Sequence, residues 1–168
     1  MTPGQGVRLV RPDELALLPE IEVAADAVFV DHEIGPLPPP TEDLAELARA
    51  RAILVTGDPL SGFARIEEVD GAAHLEQLSV HPDHARSGAG TALLRASIEW
   101  ATAEGYPAVT LCTFADVPWN APFYRRHGFA EVTESADLGP GLRALRATER
   151  RLGLDRVGRR VVMRRLLR

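Results

Sequence analysis

Residues 75–100 place a strand, a glycine-bearing turn and a helix in immediate succession. Leu75–Glu76–Gln77–Leu78–Ser79–Val80 reads as a strand, and His81–Pro82–Asp83–His84 interrupts it. Ala85–Arg86–Ser87–Gly88–Ala89–Gly90–Thr91 then leads into an apolar-periodic run that reaches Trp100. Such a join leaves successive main-chain N–H groups at a helix N-terminus, beside the Arg86 guanidinium. That arrangement receives an anion, most naturally a pyrophosphate. Gly88 and Gly90 carry no Cβ, so phosphate oxygens can come close to the backbone. The helix must then return the chain to the sheet. The apolar run Val109–Thr110–Leu111–Cys112–Thr113 is the strand it reaches, a parallel neighbour through a right-handed crossover.

The flanking segments fill out a mixed sheet. Residues 7–10 form a short first strand. A helix follows over residues 12–30, with Asp13 and Glu14 suited to its positive end. Gly35–Pro36–Leu37–Pro38–Pro39–Pro40 cannot continue a helix and makes a stiff loop. Thr41 caps a second helix that runs to residue 51. Residues 52–56, 62–67 and 72–80 are three strands joined by Gly57–Asp58–Pro59 and Val69–Asp70–Gly71, an antiparallel meander. In the third strand Leu75 falls on one parity, and Leu78 and Val80 on the other. A β-bulge or burial of both faces accounts for this. A short helix over 120–126, a strand over 129–133, a helix over 142–152 stopped by Gly153 and a strand over 160–167 complete the chain. No internal repeat or domain boundary is visible.

The chain has 168 residues, 45% of them apolar, enough for one folded domain with a proper core. No apolar run approaches the ~20 residues of a membrane span, and residues 1–6 do not resemble a secretory leader. Cys112 is the only cysteine, so no internal disulfide forms and a cytoplasmic location is expected. All 19 cationic residues are arginines. Ten of them lie between Arg143 and Arg168, giving that segment +8, while the other 142 residues carry −13. An acidic body attracts a cationic acceptor. The arginine-rich segment reads as a solvated helix face and a final strand. No aromatic or groove-reading motif accompanies it, so a nucleic-acid partner is not expected, and neither is a membrane partner.

Two motifs carry a resemblance to a known family. Leu78–Ser79–Val80–His81–Pro82 with the turn Ala85–Arg86–Ser87–Gly88–Ala89–Gly90 is similar to the cofactor-binding segment of GNAT-superfamily acyl-CoA-dependent N-acyltransferases. Asn120–Ala121–Pro122–Phe123–Tyr124–Arg125–Arg126–His127–Gly128–Phe129 resembles a second motif of that family, in the right order. The resemblance covers residues 7–132. The family's turn reads Gln/Arg-x-x-Gly-x-Gly/Ala, and here Ala85 stands at its first position. Alanine keeps the main-chain N–H, and Arg86 supplies charge nearby, but a side-chain contact from position 85 is lost.

The resemblance implies an α/β (α+β) GNAT fold in one N-acetyltransferase domain over residues 1–168. Its centre is a mixed, mostly antiparallel twisted sheet of about seven strands flanked by helices, with a splayed parallel strand pair holding the cofactor. It implies acetyl-CoA as acyl-donor co-substrate. The main chain of Leu78, Ser79 and Val80 would pair with the pantetheine arm as an added strand does. Arg86, Ser87, Gly88, Ala89, Gly90 and Thr91 would hold the pyrophosphate. Asn120 would hydrogen-bond the cofactor, Phe123 would pack along it, and Tyr124 would bring its hydroxyl near the thioester sulfur.

Acyl transfer to an amine needs a neutral nucleophile and a protonated leaving thiolate. Glu76, two residues before Leu78, is the candidate base; the competing reading is a solvated or arginine-paired strand residue. His74 shares its parity and is a weaker candidate. Tyr124 is the candidate acid, against a tyrosine simply packed in the core. Cys112, in an apolar strand, reads as a small core residue, so direct attack in a ternary complex is favoured over a cysteine-acyl intermediate. Glu22, Asp26, Phe29, Asp31, His32, Glu33 and Trp119 are candidates for the amine pocket, where acids and aromatic walls suit a cation. The acceptor is a small-molecule or peptide amine. No metal-ligand spacing is evident. The alternative is a catalytically silent acyl-CoA-binding or interaction module on the same fold. Edge strands also leave room for a homodimer.

Overall fold

The computed structural model describes residues 6–168. Residues 1–5, part of the segment read as free of a secretory leader, lie outside the described residues. The described residues form seven strands: β1 (Val7–Leu9), β2 (Ala52–Thr56), β3 (Gly62–Val69), β4 (Ala72–Val80), β5 (Ala108–Phe114), β6 (Ala130–Glu131) and β7 (Arg160–Leu166). They make one sheet in the order β1-β2-β3-β4-β5-β7-β6. β4 and β5 are parallel, with Ala73 opposite Val109 and His74 opposite Thr110. The β1–β2, β2–β3, β5–β7 and β6–β7 pairs are antiparallel. The helices are α1 (Leu18–Asp31), α2 (Leu44–Ala48), α3 (Ala89–Ala103), α4 (Ala121–Arg126), α5 (Pro140–Arg151) and α6 (Leu154–Val157). This is the mixed, mostly antiparallel sheet flanked by helices that the sequence implies. Among the described residues, no helix is long and apolar enough to cross a membrane.

The chain packs into two compact units. One runs to Glu67 and resumes over Leu75–Trp100; the other comprises Glu68–His74 and Ala101–Arg168.

The core of the first unit gathers Leu15, Leu18 and Ile21 with Leu47 of α2, Ile53 and Val55 of β2, and Phe63 of β3. The single helix expected over 12–30 is instead a 3-10 segment, Pro12–Leu17, followed by α1. Pro19 explains the break: it has no N–H to bond the Leu15 carbonyl, and its ring crowds that group. Glu14 does more than face a helix dipole. Its carboxylate accepts two hydrogen bonds from Arg8, at 2.8 and 2.7 Å, and one from the Arg11 N–H at 2.8 Å. These hold it down at about 2, with the Arg8 bond the largest cause. The cap of α2 is Asp43, whose Oδ1 accepts from the Ala45 and Glu46 N–H groups at 3.0 and 3.3 Å. Thr41 donates to Glu46 Oε2 instead, at 2.8 Å. α2 stops at Ala48, short of the expected residue 51, because the Arg51 N–H joins the sheet at the Ile66 carbonyl.

In the second unit β5 and β7 pair along their whole length, from Ala108↔Leu166 to Phe114↔Arg160. β6 is shorter than expected. Phe129 is buried in the core with its N–H on the Tyr124 carbonyl, so β6 starts at Ala130; Ala130 and Glu131 pair with β7, and the Val132 N–H adds one bond to the Val162 carbonyl at 2.8 Å. The β3–β4 hairpin turns on Asp70 and Gly71, with φ of 53° and 77°, the left-handed pair of a tight I′ turn. The Asp70 carboxylate accepts from the N–H groups of Gly141 and Leu142 at 2.8 and 3.0 Å, capping α5 across 71 residues of sequence. A Cβ at position 139 would sit 2.5 Å from that carboxylate, so a side chain there would displace the cap. Arg146 is buried between Glu149 (2.6 Å) and Asp155 (2.8 Å), and Glu149 also binds Arg160 at 2.7 Å.

Candidate functional site

Within the first unit, β4 ends where the His81 N–H donates to the Ser61 carbonyl at 2.7 Å. A 3-10 turn, Pro82–His84, follows, pinned by the Asp83 N–H on His81 Nδ1 at 3.2 Å. The Ser87 N–H and hydroxyl both donate to the His84 carbonyl, at 3.1 and 2.7 Å. Gly88 adopts φ 86°, a conformation that favours glycine. The ladder of α3 opens with the Ala92 N–H on the Gly88 carbonyl at 3.0 Å. The amides of Ala89, Gly90 and Thr91 therefore precede it and have no acceptor inside the helix. A Cβ on Gly90 would meet nothing closer than Val80 Cγ2 at 3.8 Å, so the fold itself does not demand glycine there. Arg86 is exposed beside this turn. The Ala85 N–H is taken up by the Pro82 carbonyl at 3.2 Å, so the main-chain group that alanine retains points into the turn. Leu78 and Val80 are half-buried; Ser79 is buried, its hydroxyl accepting from Gln77 Nε2 at 2.8 Å, which leaves its main chain as its route to a ligand.

The same unit gathers three carboxylates. Glu22 and Asp26 lie one turn apart on α1, and Glu76 is exposed on β4. Burial, then the Asp26 carboxylate, with Glu76 adding to them, push Glu22 up to about 7, against the pull of Arg65. Burial raises Asp26 to about 6. Arg65 donates to Glu67 at 2.8 Å and to Glu46 at 3.5 Å; against burial, which lowers its pKa, Glu67, Glu76 and Glu46 raise it, so it stands among three acids. The sequence reading passed over Arg65; the Arg65–Glu67 pair, two apart on a strand and so on one face, was the available signal. Phe29 is half-buried on α1, whereas Asp31, His32 and Glu33 are exposed at its C-terminal end.

In the second unit Asn120 precedes α4. Its Oδ1 accepts from the Thr113 hydroxyl at 2.7 Å and from the Phe114 N–H at 3.3 Å. The carbonyl side of the amide is thus fixed, and the NH2 side is the one turned to donate. Phe123 is half-buried, its ring 5.2 Å from Tyr124 and 4.8 Å from His127. Tyr124 is 8% exposed, its ring 5.8 Å from Phe129. Burial raises its phenol far above the ordinary value, with Arg160 opposing, so it stays protonated at any physiological pH. No fully buried side-chain polar atom among the described residues lacks a partner. The Tyr124 hydroxyl has no hydrogen-bond partner among the described residues, so its oxygen is not fully sealed off. Trp119 is half-buried just before Asn120. His74 is hydrogen-bonded through Nδ1 to the Thr110 hydroxyl at 2.8 Å, and burial lowers it to about 4. It is neutral at pH 7 and too weak a base for an ammonium. Cys112 lies mid-strand opposite Val162.

Residues 22–129 match the acetyltransferase (GNAT) family, a span that takes in most of α1, the glycine turn and the Asn120 segment. The chain belongs to the GNAT family. This GNAT chain is 42% identical over 71 residues to the mycothiol acetyltransferase of Stackebrandtia nassauensis, covering 42% of the chain but 23% of that protein. It therefore spans under a quarter of that relative's length. Its fold is shared with a GNAT-family acetyltransferase of Staphylococcus aureus Mu50 (TM-score 0.72, 14% identity, 97% of this chain and 99% of that one). It is also shared with the PaiA N-acetyltransferase of Thermoplasma acidophilum, solved in complex with coenzyme A (TM-score 0.63, 15% identity, 96% and 98%).

Proposed function

We propose that the whole chain is one N-acetyltransferase domain that moves an acetyl group from acetyl-CoA to a primary amine by direct attack in a ternary complex. The observation that carries this reading is the N-terminus of α3. Three amides lie ahead of the helix ladder, Gly88 is left-handed, and Gly90 leaves a space that protein packing does not require. That construction fits a diphosphate. The amides of Ala89, Gly90 and Thr91, with Arg86 and Gly88, would hold it. Ser87, whose hydroxyl and amide serve the turn, would contribute by shaping the loop. The main chain of Leu78, Ser79 and Val80 would pair with the pantetheine amides, the Asn120 NH2 would donate to the cofactor, and Phe123 would lie along it. The PaiA relative, with its bound coenzyme A, supports this choice of donor.

When bound, acetyl-CoA supplies the acyl group as a thioester. Glu76 accepts the proton of the incoming ammonium, directly or through a water. Tyr124 keeps its phenolic proton and gives it to the departing sulfur. Glu22, Asp26, Phe29 and Trp119 receive the amine; the acids on α1 favour a cationic acceptor. A cytoplasmic setting, with Cys112 reduced, belongs to the same reading.

The test is a thiol-release screen of acetyl-CoA and longer acyl-CoAs against a broad amine panel, with calorimetry of CoA binding alongside. Thiol release with at least one amine is expected. Tight CoA binding with no thiol from any amine would turn the reading into a silent binding module. No CoA uptake at all would remove it.

A further inference from the structure

The second unit carries a cleft that the acyl-transfer reading does not use. It encloses about 350 Å³ between α5, β7 and the segment 131–138, and four arginines line it: Arg143, Arg146, Arg150 and Arg160. The first three stand at i, i+3 and i+7 on α5, one face of the helix. Two of the four charges are balanced. Arg146 lies between Glu149 and Asp155, and Arg160 shares Glu149 at 2.7 Å. Glu131, the acid in the lining, is paired with Arg159 at 3.3 Å. Arg143 and Arg150 remain. Arg143 donates only to the neutral Ser135 carbonyl, at 3.2 Å. Arg150 has no hydrogen-bonding or ionic partner among the described residues, and both are exposed. The cleft therefore presents two uncompensated guanidinium forks, and the hydroxyl-bearing Thr133 and Ser135 also line it.

We propose that this cleft is a binding site for a small dianion, a phosphate monoester or a dicarboxylate, held between Arg143 and Arg150. Two uncompensated positive charges match two negative ones. Guanidinium forks bind carboxylate and phosphate oxygens in pairs. The volume suits a compact metabolite rather than a macromolecule. The fixed pairs around Arg146 and Arg160 keep the walls in place, so the two remaining arginines need not build the site as they bind. The assignment stands whether or not the chain transfers acyl groups.

Calorimetric titration of the full chain with inorganic phosphate and with succinate, in saturating CoA so that the α3 turn is already filled, at constant ionic strength and with chloride as reference, tests it. The expected result is one-to-one binding of one or both dianions above the chloride background, and which of them binds identifies the phosphoryl or the dicarboxylate source. The double variant Arg143→Gln/Arg150→Gln, which leaves the buried ion pairs intact, should weaken that binding roughly 100-fold. Arg86→Gln should leave it unchanged. The proposal is overturned if neither dianion exceeds chloride, if binding survives in the double variant, or if binding is lost in Arg86→Gln, which would place the anion on the α3 turn instead.

Discussion

The ring of Tyr124 is packed against Phe123 and Phe129, while its oxygen has no hydrogen-bond partner among the described residues and is not fully sealed off. A phenol placed so holds its proton yet leaves it deliverable. Tyr124→Phe should lower kcat by about 100-fold, the lower end of what a positioned acid supplies, with CoA affinity by calorimetry unchanged. Normal turnover in this variant would take Tyr124 out of the chemistry. Glu22 and Glu14 give the chain opposite pH responses. The folded pKa of Glu22 is raised from 4.5 to about 7, so its contribution to stability is present below pH 4.5 and is lost as pH rises to about 7. Glu14 is lowered from 4.5 to about 2, so its contribution is present above pH 4.5 and is lost as pH falls to about 2. Urea unfolding of Glu22→Gln across pH 4–8 should show a stability gain of order 2 kcal/mol at pH 8 that vanishes near pH 4. A gain independent of pH would mean that desolvation does not govern this carboxyl.

At the scale of the element, the glycine turn separates what folding requires from what a ligand requires. Gly88→Ala places a Cβ at φ 86° and should cost about 1–2 kcal/mol. Gly90→Ala meets no protein atom closer than 3.8 Å and should leave stability unchanged or raise it by up to ~1 kcal/mol. The same Cβ would stand where phosphate oxygens approach, so CoA affinity should fall at least tenfold by calorimetry. Thermal melts and titrations on the two variants check both halves. Unchanged affinity in Gly90→Ala would move the diphosphate elsewhere. Elements set by local pattern were legible in the sequence: β2 and β4 match residue for residue, and α3 runs from the glycine turn to just before Gly105. The misjudged elements are bounded by distant or competing contacts. Pro19 splits the first helix, the Ile66 carbonyl shortens α2, and Asp70 caps α5 from 71 residues away. In the candidate site, the motif residues stand out in the sequence because their types are chemically demanding. Arg65 does not, since its meaning comes from Glu46, on a different element.

At the scale of the whole molecule, neither compact unit is a continuous stretch of chain. The backbone passes between them after Glu67, His74 and Trp100. The two tryptophans fall one to each unit, Trp100 in the first and Trp119 in the second. Single-tryptophan variants, Trp119→Phe and Trp100→Phe, therefore report on each unit separately. Their urea midpoints should coincide with each other and with the far-ultraviolet transition, as one cooperative domain requires. Separated midpoints would mean two domains. Charge is also divided at this scale: the arginine-rich segment from Arg143 onward offsets part of a body at −13.

The position of β7 between β5 and β6 has a consequence for biosynthesis. Arg160 is made 46 residues after Phe114, a delay of roughly 2–9 s during translation. For that interval the nascent strand Ala108–Phe114, seven residues without charge or proline, has one edge bare. Until β7 is made, that edge is open to pairing with another strand, and synthesis of residues 160–166 is what closes it.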